Sequence, residues 1–357
     1  MNVLIFLAGL VGLIIGASLL VRGASKLALS FGVSPLVVGL TIVAFGTSSP
    51  EVAVSVGAAL DGKADIAIGN VVGSNIFNVL FILGISALIA PLVVHVQLIR
   101  QEVPIMIGAS LLLLALGLDG RLSFLDAALL FGLLVAYTVF LIVQSRRQSQ
   151  AEQAALAGDL PADSGWDRHW AMQVALVVAG LVLLVIGSDW LVTAAIAFAK
   201  QLGVSDLVIG LTIVAAGTSM PEVATSITAA IKGERDIAVG NVVGSNTFNI
   251  LGCLGLTGLV AADGLPLAPS LMNFDIWVML AVAVACLPVF LTGREIARWE
   301  GAVFLGYYVA YTGYLVLASQ QHDLLPRFSQ AMLWFVIPLT VVTLIAVMLR
   351  KPGLPKG

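Results

Sequence analysis

Two glutamates lie in the middle of long apolar stretches, each inside the same short motif. The motif reads GTSSPE over 46–51 and GTSMPE over 217–222. An ionised carboxylate at the centre of a bilayer costs at least ~2.5 kcal/mol unless it is paired. No Lys or Arg lies in the apolar stretches that carry Glu51 and Glu222. A shared proton or a bound cation remains as the partner, so both residues are predicted to be functional.

Hydroxyl and carbonyl oxygens surround each carboxylate on its predicted helix. Thr47 and Ser48 precede Glu51 by four and three residues, so the three side chains share one helix face. Pro50 frees the backbone oxygen of Gly46, which protein, water or an ion must then satisfy. The second motif repeats this arrangement. Hard cations such as Ca²⁺ take roughly six to eight oxygen ligands, and Na⁺, which is close to Ca²⁺ in size, uses the same oxygens with less charge. The motifs therefore predict a pocket for either ion.

A second motif follows in each half, reading GNVVGSNIFN from Gly69 and GNVVGSNTFN from Gly240. In each copy three polar residues recur every four positions and form one stripe: Asn70, Ser74 and Asn78, then Asn241, Ser245 and Asn249. Such a stripe either faces the glutamates or holds helices together, and both interpretations stay open. Asn75 and Asn246 lie on another face, where we expect them to pack helices. Gly69 and Gly73 form a G-x-x-x-G pair that permits close helix approach.

Composition identifies the chain as an integral membrane protein. Of its 357 residues 60% are hydrophobic and 10% are charged, with a mean hydropathy of +1.07, whereas globular domains carry roughly 25% charged residues. Disordered, nucleic-acid-binding and fibrous chains are excluded on the same grounds. A membrane-spanning helix needs ~20 apolar residues. About eleven stretches qualify as all-α spans, near 3–21, 35–60, 66–90, 103–118, 122–144, 171–199, 206–231, 237–261, 274–292, 299–318 and 328–349.

The two halves of the chain are copies of each other. Residues 39–84 and 210–255 are identical at 32 of 46 positions, without gaps and at a constant offset of 171. Each half has five predicted spans, so the second half enters the membrane from the opposite face. Such inverted repeats are typical of secondary transporters, whose substrate site lies between the repeats near the midplane.

The distribution of basic residues predicts the orientation of these spans. With the N-terminus outside, thirteen of the seventeen Lys and Arg residues fall on the cytoplasmic side. The positive-inside rule therefore predicts that the N-terminus is outside and the C-terminus inside. The predicted organisation is a first five-helix repeat, a cytoplasmic linker, a second inverted five-helix repeat and an extra transmembrane helix, over 1–145, 146–169, 170–320 and 326–350.

The duplicated GTSxPE and GNVVGSN motifs resemble the α-repeats of the cation/calcium antiporter superfamily, in particular its prokaryotic sodium/calcium exchangers. The repeated segments cover about 92 of 357 residues, and the five-plus-five layout extends the resemblance to nearly the whole chain. The resemblance implies ion positions between the second, third, seventh and eighth helices, and first and sixth helices that slide to switch access. By matching positions, it implies as metal ligands Ala44 (through its carbonyl), Thr47, Ser48, Glu51, Ser74, Asn78, Ala215 (through its carbonyl), Thr218, Ser219, Glu222, Ser245 and Asn249. Some members carry Asp at the position of Asn249.

The resemblance implies a Na⁺/Ca²⁺ antiporter in a prokaryotic inner membrane, with Ca²⁺ and Na⁺ as transported ions and the lipid bilayer as surroundings. Two alternatives remain: a H⁺/Ca²⁺ antiporter, in which the glutamates exchange protons, and a passive cation channel. The neutral oxygens beside Glu51 and Glu222 favour Na⁺ over H⁺, because a proton needs only the carboxylates. The sequence contains no Walker loop, nucleophile elbow, HExxH motif or dinucleotide fingerprint. We therefore expect no enzyme activity, no cofactor, and no nucleotide or nucleic-acid partner.

Overall fold

A computed structural model describes residues 2–31, 33–147, 169–201, 215–261 and 263–349, and these are almost entirely helical. Helices are the expected outcome because a backbone inside lipid must satisfy its own polar groups. The first repeat comprises α1 (Asn2–Phe31), α2 (Pro35–Thr47), α3 (Ser49–Leu60), α4 (Ala64–Ile89), α5 (Leu98–Asp119) and α6 (Phe124–Arg147). The second comprises α7 (Trp170–Gln201), α8 (Ala215–Gly217), α9 (Met220–Ile231), α10 (Arg235–Val260), α11 (Leu271–Leu291) and α12 (Arg298–Ser319), and α13 (Leu325–Ala346) follows it.

The described residues contain nine helices that are long and apolar enough to cross a membrane. The pair α2 and α3, bent by 43° at Ser48, makes a tenth if it is counted as one span. The predicted seventh span, 206–231, begins within 202–214, outside the described residues, and most of the predicted linker, 148–168, lies outside them too. The chain is thus a multi-pass helical membrane protein built from two repeats.

The first helix is longer than the sequence pattern indicated. The predicted span ended at residue 21, but α1 continues through Arg22 and Lys26 to Phe31. The prediction followed the uninterrupted apolar stretch, whereas the helix continues past its first basic residues. A helix of 30 residues is about 45 Å long. That exceeds the ~30 Å hydrocarbon core, so α1 must tilt or protrude.

Glycines let α1 and α7 approach each other at backbone distance. A Cβ atom added at Gly180 of α7 would lie 2.6 Å from the backbone nitrogen of Leu20 and 2.8 Å from the carbonyl oxygen of Gly16. A Cβ added at Gly9 of α1 would lie 2.7 Å from the backbone nitrogen of Leu191. Small residues at such contacts are how membrane helices gain close packing. These two long helices therefore form one closely packed pair.

The centre of the molecule is made of α4 and α10, which correspond to the third predicted span of each repeat. The central stretch of α10 is wholly buried and that of α4 largely so, whereas α13 has no buried residue in its own stretch. Gly244 of α10 fits closely against Leu40 of α2, since an added Cβ would lie 2.7 Å from the Leu40 carbonyl oxygen. The positions that pseudo-symmetry would place against Gly69 and Gly73, 207 and 211, lie outside the described residues.

Two short antiparallel ladders, which the sequence did not predict, join the repeats. Strand β1 (Leu92–Val93) pairs with β4 (Glu295–Ile296), and β2 (Arg121–Leu122) pairs with β3 (Leu265–Pro266). Each ladder therefore takes one strand from each repeat. The same inverted relation also places α10 against α2 and α9 against α4. The repeats are interleaved rather than simply side by side.

The glycine contact between α1 and α7 predicts the effect of adding a methyl group. Gly180→Ala should lower the free energy of unfolding by about 1–3 kcal/mol, because the new Cβ would overlap the α1 backbone. The measurement is the thermal unfolding midpoint of the purified protein in detergent. Gly57→Ala is the control, since Gly57 is exposed and an added Cβ there meets no atom within 4 Å. Equal midpoints for the two variants would contradict the close contact.

Candidate ion-binding site

Both GTSxPE motifs lie where a helix is interrupted. Helix α2 ends at Thr47 and α3 begins at Ser49, while α8 ends at Gly217 and α9 begins at Met220. The proline of each motif is the second residue of the new helix. An N–H at that position would have no partner within the new helix, so proline is tolerated there. Glu51 and Glu222 follow in the first helical turn. The positive end of the helix dipole favours a carboxylate there.

Hydroxyl groups of the protein take up the two carbonyl oxygens that the prolines free. Ser49 Oγ donates to the Gly46 oxygen at 2.6 Å, and Ser188 Oγ, on α7, donates to the Gly217 oxygen at 2.7 Å. Met220 stands at the position of Ser49 in the second repeat, so a neighbouring helix supplies the hydroxyl there. Both carbonyl oxygens are therefore satisfied by hydroxyl groups of the protein, and neither needs water or an ion as its partner.

The two glutamates are each held by a serine of the opposite repeat. Ser219 Oγ donates to Glu51 Oε1 at 2.8 Å, and Ser48 Oγ donates to Glu222 Oε1 at 2.9 Å. All four side chains are fully buried. The second oxygen of each carboxylate, Oε2, accepts no hydrogen bond from the described residues. The motifs thus meet across the interface, with one oxygen of each glutamate bonded and the other unpaired.

Six buried motif oxygens lack a hydrogen-bond partner within the described part of the chain, three from each repeat: Oε2 of Glu51 and Glu222, Oγ of Ser74 and Ser245, and Oδ1 of Asn78 and Asn249. A buried polar atom without a partner costs about 1–3 kcal/mol, so each of the six calls for an explanation. Four buried hydroxyls outside the predicted ligand set also lack a partner, on Ser25, Ser86, Thr225 and Thr257. The motif oxygens differ from these in including two carboxylates and two amide acceptors, which suit a hard cation.

The threonines of the motifs are hydrogen-bonded to asparagines of the other repeat. Thr47 Oγ1 donates to Asn241 Oδ1 at 3.1 Å, and Thr218 Oγ1 donates to Asn70 Oδ1 at 3.2 Å. A hydroxyl that donates its hydrogen keeps its lone pairs for another partner. Asn70 also donates to Ser55 Oγ at 3.0 Å. The first asparagine of each stripe, Asn70 or Asn241, therefore holds helices together. The serine and the last asparagine of each stripe each keep an oxygen without a hydrogen-bond partner among the described residues.

The last asparagine of each stripe lies at a local change in the helix. Asn78 begins the π-helical turn Asn78–Leu83, and Asn249 begins the turn Asn249–Cys253. Such turns are inserted in α-helices frequently at functional sites. The amide nitrogens of Asn78 and Asn249 donate to the side chains of Asn246 and Asn75, respectively. These two were expected to pack helices, and they do so while also contacting the predicted ligands.

The structure links Ser48 and Ser219 to the glutamates of the opposite repeat. The stripe ligands are buried on α4 and α10, which pack against α3 and α9: Ser74, Asn78, Ser245 and Asn249. For Ala44 the structure shows a carbonyl oxygen that accepts from the Ser48 backbone nitrogen at 3.0 Å, and for Ala215 it describes only a place at the start of α8. The sequence analysis did not predict that Asn75 and Asn246 bond the predicted ligands Asn249 and Asn78. The available signal was that both copies of the motif have asparagine at this position. The described residues contain no group of three His, Cys, Asp or Glu side chains that could hold a metal. The predicted ligand set itself contains two carboxylates, Glu51 and Glu222, and its other members would contribute neutral oxygens.

Inverted repeats whose interface holds buried carboxylate, hydroxyl and amide oxygens from both halves are typical of secondary transporters for cations. The family model described as sodium/calcium exchanger protein matches residues 1–143 and 172–317, and the chain belongs to this family.

Individual relatives align with this chain over nearly their whole length. The putative antiporter CaxA of Alkalimonas amylolytica is 39% identical over 322 residues, which covers 88% of this chain and 98% of the relative. The sodium/calcium exchanger MaX1 of Methanosarcina acetivorans is 36% identical over 341 residues, covering 87% and 97%. The solved structure of the sodium-calcium exchanger NCX_Mj soaked with zero Na⁺ and Ca²⁺ has a TM-score of 0.74 at 30% identity, covering 88% of this chain and 98% of that one.

The bond from α7 to the interrupted helix predicts a measurable effect. Ser188→Ala leaves the Gly217 carbonyl buried without its partner, which should lower the free energy of unfolding by about 1–3 kcal/mol. The measurement is again the thermal midpoint in detergent. The control is Thr343→Val, because the Thr343 hydroxyl bonds the Leu339 oxygen of its own exposed helix at 2.8 Å, an oxygen with its own helical bond. An unchanged midpoint for Ser188→Ala would contradict this role.

Proposed function

We propose that the protein exchanges Na⁺ for Ca²⁺ across a prokaryotic inner membrane at the pocket formed by the duplicated motifs. The observation that carries the proposal is the set of six buried oxygens without hydrogen-bond partners, three from each repeat. The names of MaX1 and NCX_Mj as sodium/calcium exchangers support the choice of ions. The proposed ligands are the carbonyls of Ala44 and Ala215 and the side chains of Thr47, Ser48, Glu51, Ser74, Asn78, Thr218, Ser219, Glu222, Ser245 and Asn249.

The charge of the pocket accounts for competition between the two ions. With Glu51 and Glu222 ionised the pocket carries two negative charges, which one Ca²⁺ neutralises. More than two Na⁺ ions in place of that Ca²⁺ would leave it positive. Occupancy by one cation therefore opposes occupancy by the other, and exchange moves net charge whenever more than two Na⁺ replace one Ca²⁺.

The neutral oxygens favour Na⁺ over H⁺ as the coupling ion. Four of the six unpaired oxygens belong to neutral side chains, those of Ser74, Ser245, Asn78 and Asn249. Proton exchange requires titrating carboxylates and no further ligands. A monovalent metal ion requires several oxygens and little compensating charge. The composition of the pocket thus matches Na⁺ better than H⁺.

Access to the pocket is proposed to alternate through movement of the α1–α7 pair. The two helices contact each other along glycines, so they form a unit separate from the tightly interleaved α4 and α10. Both are longer than the bilayer requires. The process needs no covalent chemistry and no cofactor; Ca²⁺ and Na⁺ are cargo.

Removing the charge of either glutamate tests the site. Glu51→Gln and Glu222→Gln keep the side-chain shape but remove a negative charge, so Na⁺-driven ⁴⁵Ca²⁺ uptake into proteoliposomes should nearly vanish in both. Glu102→Gln is the matched control: Glu102 is also fully buried, but its carboxylate accepts from Tyr137 at 2.6 Å and from two glutamines. Uptake at the wild-type rate by either Glu51→Gln or Glu222→Gln would show that the site is misplaced.

The identity of the coupling ion is tested by imposing one gradient at a time. An outward Na⁺ gradient at constant pH should drive Ca²⁺ uptake into proteoliposomes, and a pH gradient without Na⁺ should not. Uptake driven only by the pH gradient would replace this proposal with H⁺/Ca²⁺ exchange. Equal uptake without any counter-ion would indicate a passive channel.

A further inference from the structure

Two asparagines outside the proposed ligand set contact each other across the interface between the repeats. Asn75 of α4 and Asn246 of α10 are 1% and 3% exposed. Asn75 Nδ2 donates to the backbone oxygen of Asn246 at 3.3 Å, and Asn246 Nδ2 donates to the backbone oxygen of Asn75 at 3.2 Å. Each side chain is therefore anchored on the main chain of the other.

These backbone contacts fix which end of each amide points where. A carbonyl oxygen can only accept, so the amide nitrogen must face it and the amide oxygen must point away. The two outward oxygens meet the next pair of amides. Asn246 Oδ1 accepts from Asn78 Nδ2 at 2.9 Å, and Asn75 Oδ1 accepts from Asn249 Nδ2 at 3.2 Å. The orientation set at the backbone is thus passed on to Asn78 and Asn249.

The far ends of this chain of contacts are the unpaired oxygens of the proposed ion site. Asn78 Oδ1 and Asn249 Oδ1 are buried and have no hydrogen-bond partner among the described residues. A reversed amide would place a nitrogen and its partly positive hydrogens there, which would repel a cation. The two orientations occupy nearly the same volume, so only the hydrogen-bond network distinguishes them.

We propose that Asn75 and Asn246 are positioning residues that hold Asn249 and Asn78 with their oxygens towards the transported cation. The inference rests on the ion site proposed above. Each positioning residue serves the ligand of the other repeat, so neither repeat can orient its own ligand amide alone. Correct orientation at the site requires that α4 and α10 be docked in this register.

Truncation of one positioning residue tests the proposal through ion binding. Asn75→Ala removes the acceptor that holds Asn249, and the half-saturating Ca²⁺ concentration should rise about tenfold to a hundredfold, as for other outer partners of metal ligands. The measurement is equilibrium ⁴⁵Ca²⁺ binding to the purified full-length protein, which does not depend on the coupling ion. Thr247→Val is the control and should bind Ca²⁺ as the wild type does. Thr247 is fully buried on α10, two residues before Asn249, and its hydroxyl donates to the Val243 oxygen of its own helix.

A second background separates amide orientation from packing. In the Asn249→Asp variant both side-chain ends are oxygens, so the two orientations of the side chain are equivalent. Adding Asn75→Ala to this variant should therefore not raise the half-saturating Ca²⁺ concentration further. An equal rise in both backgrounds, or unchanged Ca²⁺ binding by Asn75→Ala alone, overturns the proposal. Absence of Ca²⁺ binding by the wild-type protein would instead refute the ion site, and this inference with it. If Asn75→Ala does not fold, Asn246→Ala in wild-type and Asn78→Asp backgrounds makes the same comparison.

Discussion

The structure depends on keeping two carboxylates inside a membrane-spanning protein without a basic residue beside them in the sequence. Water is the usual source of hydrogen bonds for a carboxylate, and the fully buried Glu51 and Glu222 must obtain them elsewhere. Each receives one hydroxyl donor and keeps one oxygen unpaired. At the proposed site, a cation would meet oxygens already held in place by these hydrogen bonds, so little reorganisation would oppose its binding. It would also offset the cost of burying the two carboxylates.

That constraint explains why the hydrogen bonds to the two carboxylates come from the opposite repeat. The glutamates, threonines and last stripe asparagines each bond a residue of the opposite half. Polar contacts within a repeat also occur, between Asn70 and Ser55 and between Ser188 and the Gly217 carbonyl oxygen, but they do not reach the carboxylates of Glu51 and Glu222. The inverted copy supplies a second set of polar groups at the same depth. Duplication therefore supplies both halves of the proposed site as well as both halves of the fold.

The sequence was sufficient for the parts of this arrangement that depend on local spacing. The duplication of both motifs predicted the two repeats, which the family model confirms, and the placement of Ser48 three residues before Glu51 predicted a hydroxyl group near the carboxylate. Spacing could not show that Ser48 bonds the glutamate of the other repeat, because that depends on how the two halves dock. It also could not show the orientation of Asn78, since the two ends of an amide are equivalent in any sequence pattern. The length of α1 was missed because the uninterrupted apolar stretch ends before Arg22, although basic side chains near helix ends can reach the interface.

The departures from symmetry matter for transport as much as the symmetry does. Two identical inverted halves would give the inward-facing and outward-facing states the same energy. Here the carbonyl freed in the first repeat is satisfied from within its own turn by Ser49, whereas the corresponding Gly217 carbonyl depends on Ser188 of α7. Ala17 stands at the position of Ser188 in α1, so α1 offers no equivalent hydroxyl. Movement of α7 relative to α8 would break a bond at the GTSMPE turn, and movement of α1 would not. If the α1–α7 pair moves as proposed, the two facing states would therefore differ in energy through a contact one residue away from Thr218, at the edge of the proposed site.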